Sequence, residues 1–285
     1  MKRRLVKQIL FLGLMLLPLV GQAAQGLLFQ VSRAGQVHYL LGTMHSDDPR
    51  VIALLDEVTP RLEEVDQVVL EILPDMTAMV AVSMAMMLPP QQRLSELVGD
   101  ALFRRAAQAA AQRGLPAIAL ERLRPWAAAI TLGTPEVEGL AMDQALYQRA
   151  LTRGKKLAAL ETPEEQMAMF ESLSSSLQKR LLEEVLDQLP RLPEQLERMI
   201  QAYLAGDLER LRALSLELDA GGDPELAAWF QRRLIDERNR RMFERMQSLM
   251  EKAATLVAVG ALHLPGKGGL LQRLRGAGYE VKKVF

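Results

Sequence analysis

The chain has 285 residues, with thirty-five basic side chains against thirty-five acidic ones, 49% apolar residues and a quarter charged. That is long and apolar enough for one large or two modest globular domains, and it excludes a disordered polymer. Balanced charge without a basic block excludes nucleic acid as a partner, and the lack of cysteine excludes disulfides, a thiolate nucleophile and a thiolate metal site.

The first seven residues carry four basic side chains, Lys2, Arg3, Arg4 and Lys7, Ile9 to Val20 are apolar, and Gly21-Gln22-Ala23 supplies small residues at a cleavage position. This pattern predicts a signal peptide over residues 1–23 with cleavage before Ala24. Its apolar core falls short of the ~20 residues a membrane span needs, and no later segment reaches that length. The mature chain, 24–285, is therefore expected as a single periplasmic or secreted domain with no stable membrane span.

Residues 26–31 and 36–41 predict two strands joined by a tight turn at Ser32-Arg33-Ala34-Gly35. The second runs into Gly42-Thr43-Met44-His45. Ser46-Asp47-Asp48-Pro49 then starts a helix expected over 50–64, broken or bent at Pro60. Asp66 to Glu71 predicts a strand ending in a carboxylate. The strand–helix–strand order implies a parallel crossover, which places Glu71 at the same sheet edge as His45.

Asp75 to Met87 predicts a helix with five methionines, an adaptable apolar face for a core or groove. Leu94 to Gly114 reads as helix. Arg122-Leu123-Arg124-Pro125-Trp126 precedes another helix, with Trp126 in the core. A helix from Gln144 to Arg153 follows Gly139 to Asp143, and Lys155 to Thr162 predicts a second strand ending in a carboxylate, Glu161. Residues 162–252 are overwhelmingly helical and are expected to cover the sheet, because the chain afterwards returns to a strand.

That strand, Thr255 to Gly260, repeats the first pattern by running into Gly260-Ala261-Leu262-His263. Two of only three histidines thus sit just past strand ends. In open α/β sheets this edge binds ligands, and imidazole is the commonest metal ligand, so the pair points to a functional site. Gly266-Lys267-Gly268-Gly269 lacks the order of a phosphate loop and reads as a turn that lets backbone approach the site. A short helix at 270–275 and a strand at 279–285 close the chain.

The set Gly42 to His45, Glu71, Arg124-Pro125-Trp126, Gly139 to Asp143, Leu160-Glu161, Arg238-Asn239 and Gly260 to Gly266 resembles the TraB/GumN family, which includes Tiki-type metalloproteases. The resemblance covers 27 to 285. It implies an α/β (α+β) fold similar to erythromycin esterase and ChaN haem-binding proteins, with mixed β-sheets flanked by helices and a large helical insertion. It also implies a divalent-metal-dependent peptidase with His45 and His263 as metal ligands and Glu71 as the active-site glutamate.

Two imidazoles and a carboxylate with an open position can bind Zn, Mn or Co and lower the pKa of water toward ~7. Glu71 is then either ligand or general base, with Glu161 or Asp143 in the other role. Arg124 or Arg238 is placed to stabilise an oxyanion. The substrate would be a peptide or a small carbonyl compound. The alternative is a haem- or metal-binding module, or a non-catalytic interaction protein, on the same fold.

Overall fold

A computed structural model describes residues 26–136, 138–220 and 223–285, so the expected signal segment lies outside the described residues. Six strands form one mixed sheet: β1 (Leu28–Arg33), β2 (Gln36–Thr43), β3 (Gln67–Leu70), β4 (Lys156–Ala159), β5 (Thr255–Gly260) and β6 (Glu280–Lys283), in spatial order β4-β3-β5-β2-β1-β6. The fold is the expected α/β class, with one sheet.

β1 and β2 form a hairpin whose two-residue turn has positive φ at both Ala34 (51°) and Gly35 (83°), the twist that suits right-handed strands. β2, β5, β3 and β4 run parallel. The two strands that run into Gly-x-x-His are neighbours, and so are the two that run into glutamate. β5, almost wholly buried, is rich in β-branched and aliphatic residues, whereas edge strand β6 exposes Glu280, Lys282 and Lys283, charges that discourage further pairing.

The β2-to-β3 crossover breaks at Leu54, between helices Pro49–Ala53 and Leu55–Glu63. The expected break at Pro60 does not occur; the proline removes one N–H from the second helix, and the remaining turns tolerate it. A break does occur where continuous helix was expected, at Gly99 (φ 85°), which separates Leu94–Val98 from Asp100–Gln112.

Apolar burial falls into two clusters. One surrounds the sheet and draws in Tyr203, Leu208, Met242 and Met246 from the long helical section. The other is purely helical and joins Leu94, Trp126 and Leu132 to Leu182, Leu226 and Trp229. The helical section thus covers the sheet with its helices at 192–220 and 237–250, while those at 163–188 and 224–229 pack on 94–133. Trp126 is buried as expected, its ring stacked on Phe170 at 5.3 Å.

Gly42 shows why the first motif needs its glycine. A Cβ there would lie 2.6 Å from Leu264 Cδ1 and 3.2 Å from Ala261 Cα, so this residue lets the two Gly-x-x-His turns pack directly together. Gly42→Ala is expected to cost about 1–3 kcal/mol through overpacking, read as a lower urea midpoint at unchanged m-value.

Candidate active site

The four parallel strands end at one edge of the sheet. β2 stops at Thr43, two residues before His45; β3 stops at Leu70, next to Glu71; β4 stops at Ala159, two before Glu161; and β5 stops at Gly260, three before His263. Neighbouring β2 and β5 send their connections in opposite directions, one toward β3 and one toward β6, which opens a crevice between them. Past the strands, the Leu160 N–H donates to Leu70 O (2.8 Å) and the Glu161 N–H to Glu71 O (2.7 Å), so the two glutamates emerge side by side.

Glu71 is the hub. Its Oε1 accepts from the Gly260 N–H (2.7 Å) and lies 3.7 Å from His263 Nε2. Its Oε2 accepts from Arg238 and from Gln166 Nε2 (3.4 Å). Gly260 allows this approach, because a Cβ there would meet Glu71 Oε1 at 3.3 Å. Glu161, with a side chain 0% exposed, accepts from Arg238 Nε (2.8 Å), Arg241 Nη2 (2.8 Å) and Gln166 Nε2 (3.2 Å). Its carboxylate holds arginines in place and does not face the groove.

The arginines come from helix Glu237–Met250, entered through a π-helical stretch, Phe230–Asp236. Arg238, Arg241 and Arg245 share a face at i, i+3 and i+7 and meet Glu71, Glu161 and Glu165 in turn. Asn239, fully buried on the same helix, places Oδ1 2.7 Å from His263 Nδ1.

His45 occupies the other wall. Its side chain is 60% exposed, and its Nδ1 lies 3.4 Å from Asp143 Oδ2. Asp47 Oδ2 accepts from the N–H groups of Glu138 and Gly139, and the Met142 N–H donates to Ser46 O, so the loop carrying Asp143 is tied to the turn carrying His45. His45, Glu71, Asp143, Gln166 and Gly260 line a groove of about 560 Å³ whose apolar lining is Ile72, Pro74, Ala78, Met79 and Val82. Of the five expected groove or core methionines, Met79 lines it, whereas Met76 and Met84 point to solvent.

The structure therefore brings together Glu71, Glu161, Arg238, Asn239 and His263, with His45 and Asp143 across the groove. Arg124 lies elsewhere: its Nε donates to Ala85 O (2.9 Å) and its Nη2 lies 3.5 Å from Glu171, so it closes the end of helix Met76–Met86. Among the described residues, no three His, Asp or Glu side chains are already gathered as a metal-holding group. Gln166 and Arg241 were not among the expected site residues, Arg238 to Arg241 reading in the sequence as a solvated, salt-bridged face. Arg241 carried a signal, its i+3 spacing from Arg238, but Gln166 reaches the site only because its helix starts right after Glu161.

Burial pushes the His263 imidazole down to about 4, against the pull of Glu71. Burial alone would raise the Glu71 carboxyl, but Arg238, His263 and the Gly260 N–H reverse this and hold it at about 2. The bond to Asp143 raises His45. A folded value below the ordinary 6.5 means that the native state favours neutral His263, so its contribution is complete above pH 6.5 and is lost as pH falls toward 4. Urea titrations should show stability declining over that window, and the decline should be smaller in His263→Gln; an equal decline would remove His263 as its source.

No curated protein and no solved structure matches the chain. A match to the TraB/PrgY/gumN family does run over residues 27–283, from the first strand of the sheet to its last, and takes in both Gly-x-x-His turns and every side chain of the cluster. This chain belongs to the TraB/PrgY/gumN family.

Proposed function

We infer that the protein is an exported, metal-dependent hydrolase that cleaves a peptide C–N bond by attack of water on its carbonyl at the head of this groove. The observation that carries the reading is the meeting of Glu71 Oε1 and His263 Nε2, 3.7 Å apart, at the parallel-strand edge, with His45 on the same groove. Two donors sharing one ion with bonds of about 2.0–2.2 Å at a tetrahedral angle lie about 3.3–3.6 Å apart, close to that separation. Oxygen and imidazole donors suit Zn, Mn or Co. Glu71 and His263 would hold the ion, and His45, whose Nδ1 is turned to Asp143, has Nε2 left as a third donor.

A bound ion supplies Lewis acidity, which lowers the pKa of water toward ~7 and polarises a carbonyl oxygen. The chain's own groups do the rest. Glu71, held ionised, is a poor proton acceptor and a good anionic anchor. Asp143, which lines the groove beside His45, would take a proton from the attacking water. Arg238 neutralises the paired glutamates instead of reaching substrate. Export is supported by the amino-terminal composition, and no described helix is long and apolar enough to cross a membrane.

The test is hydrolysis of a mixed peptide library by protein stripped with a chelator and then reloaded with Zn, Mn or Co. Activity should vanish and return; activity indifferent to chelation contradicts the reading. Substrate preference follows from the apolar lining. No charged residue lies between Asp75 and Arg93, so a charged side chain beside the scissile bond would lose water without gaining a partner. Peptides with Leu or Met there should be cut best. Met79→Asp should lower kcat/KM for them about 10–200-fold while improving cleavage of the Lys analogue.

A further inference from the structure

The glycine run after His263 has no role in the reaction above, yet its carbonyl touches the site. Gly268 O accepts from Asn239 Nδ2 (3.0 Å) and from Arg273 Nε (2.9 Å). The loop can fold back this far only with glycines: Gly266 has φ 83°, and a Cβ on Gly269 would fall 2.2 Å from Pro265 O. We propose that Asn239 is a positioning residue that holds His263 in the Nδ1–H tautomer, and that the carbonyl of Gly268 sets the orientation of the Asn239 amide.

The argument is one of donors and acceptors. Gly268 O can only accept, so the Asn239 edge facing it is the NH₂ group. The opposite edge, 2.7 Å from His263 Nδ1, is then the amide oxygen, which also can only accept. A flipped amide would press two oxygens together at Gly268. Nδ1 therefore carries the hydrogen, and a neutral ring has only one, so Nε2 presents a lone pair toward Glu71 Oε1.

Two acceptors face each other there, beyond hydrogen-bond distance, and await a cation or a water proton. His263 and Asn239 are both buried, so the choice is made by the fold instead of by solvent. Only the use of the free Nε2 rests on the hydrolase reading; the tautomer does not.

¹⁵N NMR of histidine-labelled protein at neutral pH, stripped of metal, reads the tautomer directly, with the three histidines assigned by single His→Gln variants. Wild type should show His263 protonated at Nδ1 and bare at Nε2. Asn239→Leu removes the acceptor and should move the hydrogen to Nε2, where it can donate to Glu71; Asn239→Asp keeps an acceptor and should preserve the wild-type pattern. Zinc affinity should fall about 10–100-fold in Asn239→Leu. A wild-type ring protonated at Nε2, or a folded Asn239→Leu protein with an unchanged ring, overturns the proposal; because the wild-type spectrum is itself decisive, a variant that fails to fold does not shelter it. Wild type that binds no zinc yet shows the Nδ1–H ring upholds the positioning role and removes only the metal.

Discussion

Arg238→Met is expected to destabilise the protein by about 3–5 kcal/mol, the cost of stripping the partner from a buried charge. Glu71 and Glu161 emerge from adjacent strands, and one guanidinium lies between them, bonded to both. Arg241 still reaches Glu161, but Glu71 keeps only the Gly260 N–H, Gln166 and the neutral His263. Two like charges then stand side by side, Glu161 fully buried and Glu71 at the edge of the groove. Urea unfolding monitored by Trp126 and Trp229 fluorescence should report the loss, and adding Glu161→Gln should restore part of it by removing one of the two charges. A loss under about 1 kcal/mol would mean that the pair is solvated and that Arg238 is not its keystone.

Glu71→Gln is expected to do the opposite: to remove activity and spare the fold. The amide keeps the shape and an oxygen for the Gly260 N–H, and Arg238 retains Glu161. Stability should stay within about 1–2 kcal/mol of wild type, as expected where no buried charge is orphaned. Peptide hydrolysis should fall by about 10–100-fold or more because the anionic anchor is gone. Together the two variants separate the side chain that holds the site from the one that acts in it. If Glu71→Gln retained full activity, the groove would need another reactive centre.

Much of this site was legible in the sequence because strands announce themselves. Short β-branched runs stopping at Gly-x-x-His or at Glu fixed which side chains leave the sheet at one edge, since parallel crossovers put their carboxyl ends together. Strand order was not legible. That β5 inserts between β2 and β3, and so brings His263 to Glu71 and packs Gly42 on Ala261, depends on the return of the chain from about ninety helical residues.

The helices hid more. Nothing local in the Gly99 segment distinguishes a break from a helical glycine, and the roles of Arg124 and Arg238 look alike until one is seen closing a helix end and the other bridging two acids. Glu161 looked like a candidate base because its strand mimics that of Glu71. Only packing shows it sealed behind three arginine and glutamine donors. The second, helical core was equally unreadable, because its residues are drawn from segments as far apart as Leu94 and Trp229.

The most direct test of the account is elemental analysis of untagged protein alongside the His45→Ala, His263→Ala double variant, after identical equilibration with Zn, Mn and Co. One equivalent of bound metal in the wild type and none in the variant is the predicted result. Equal metal content in the two, or none in either, would contradict it.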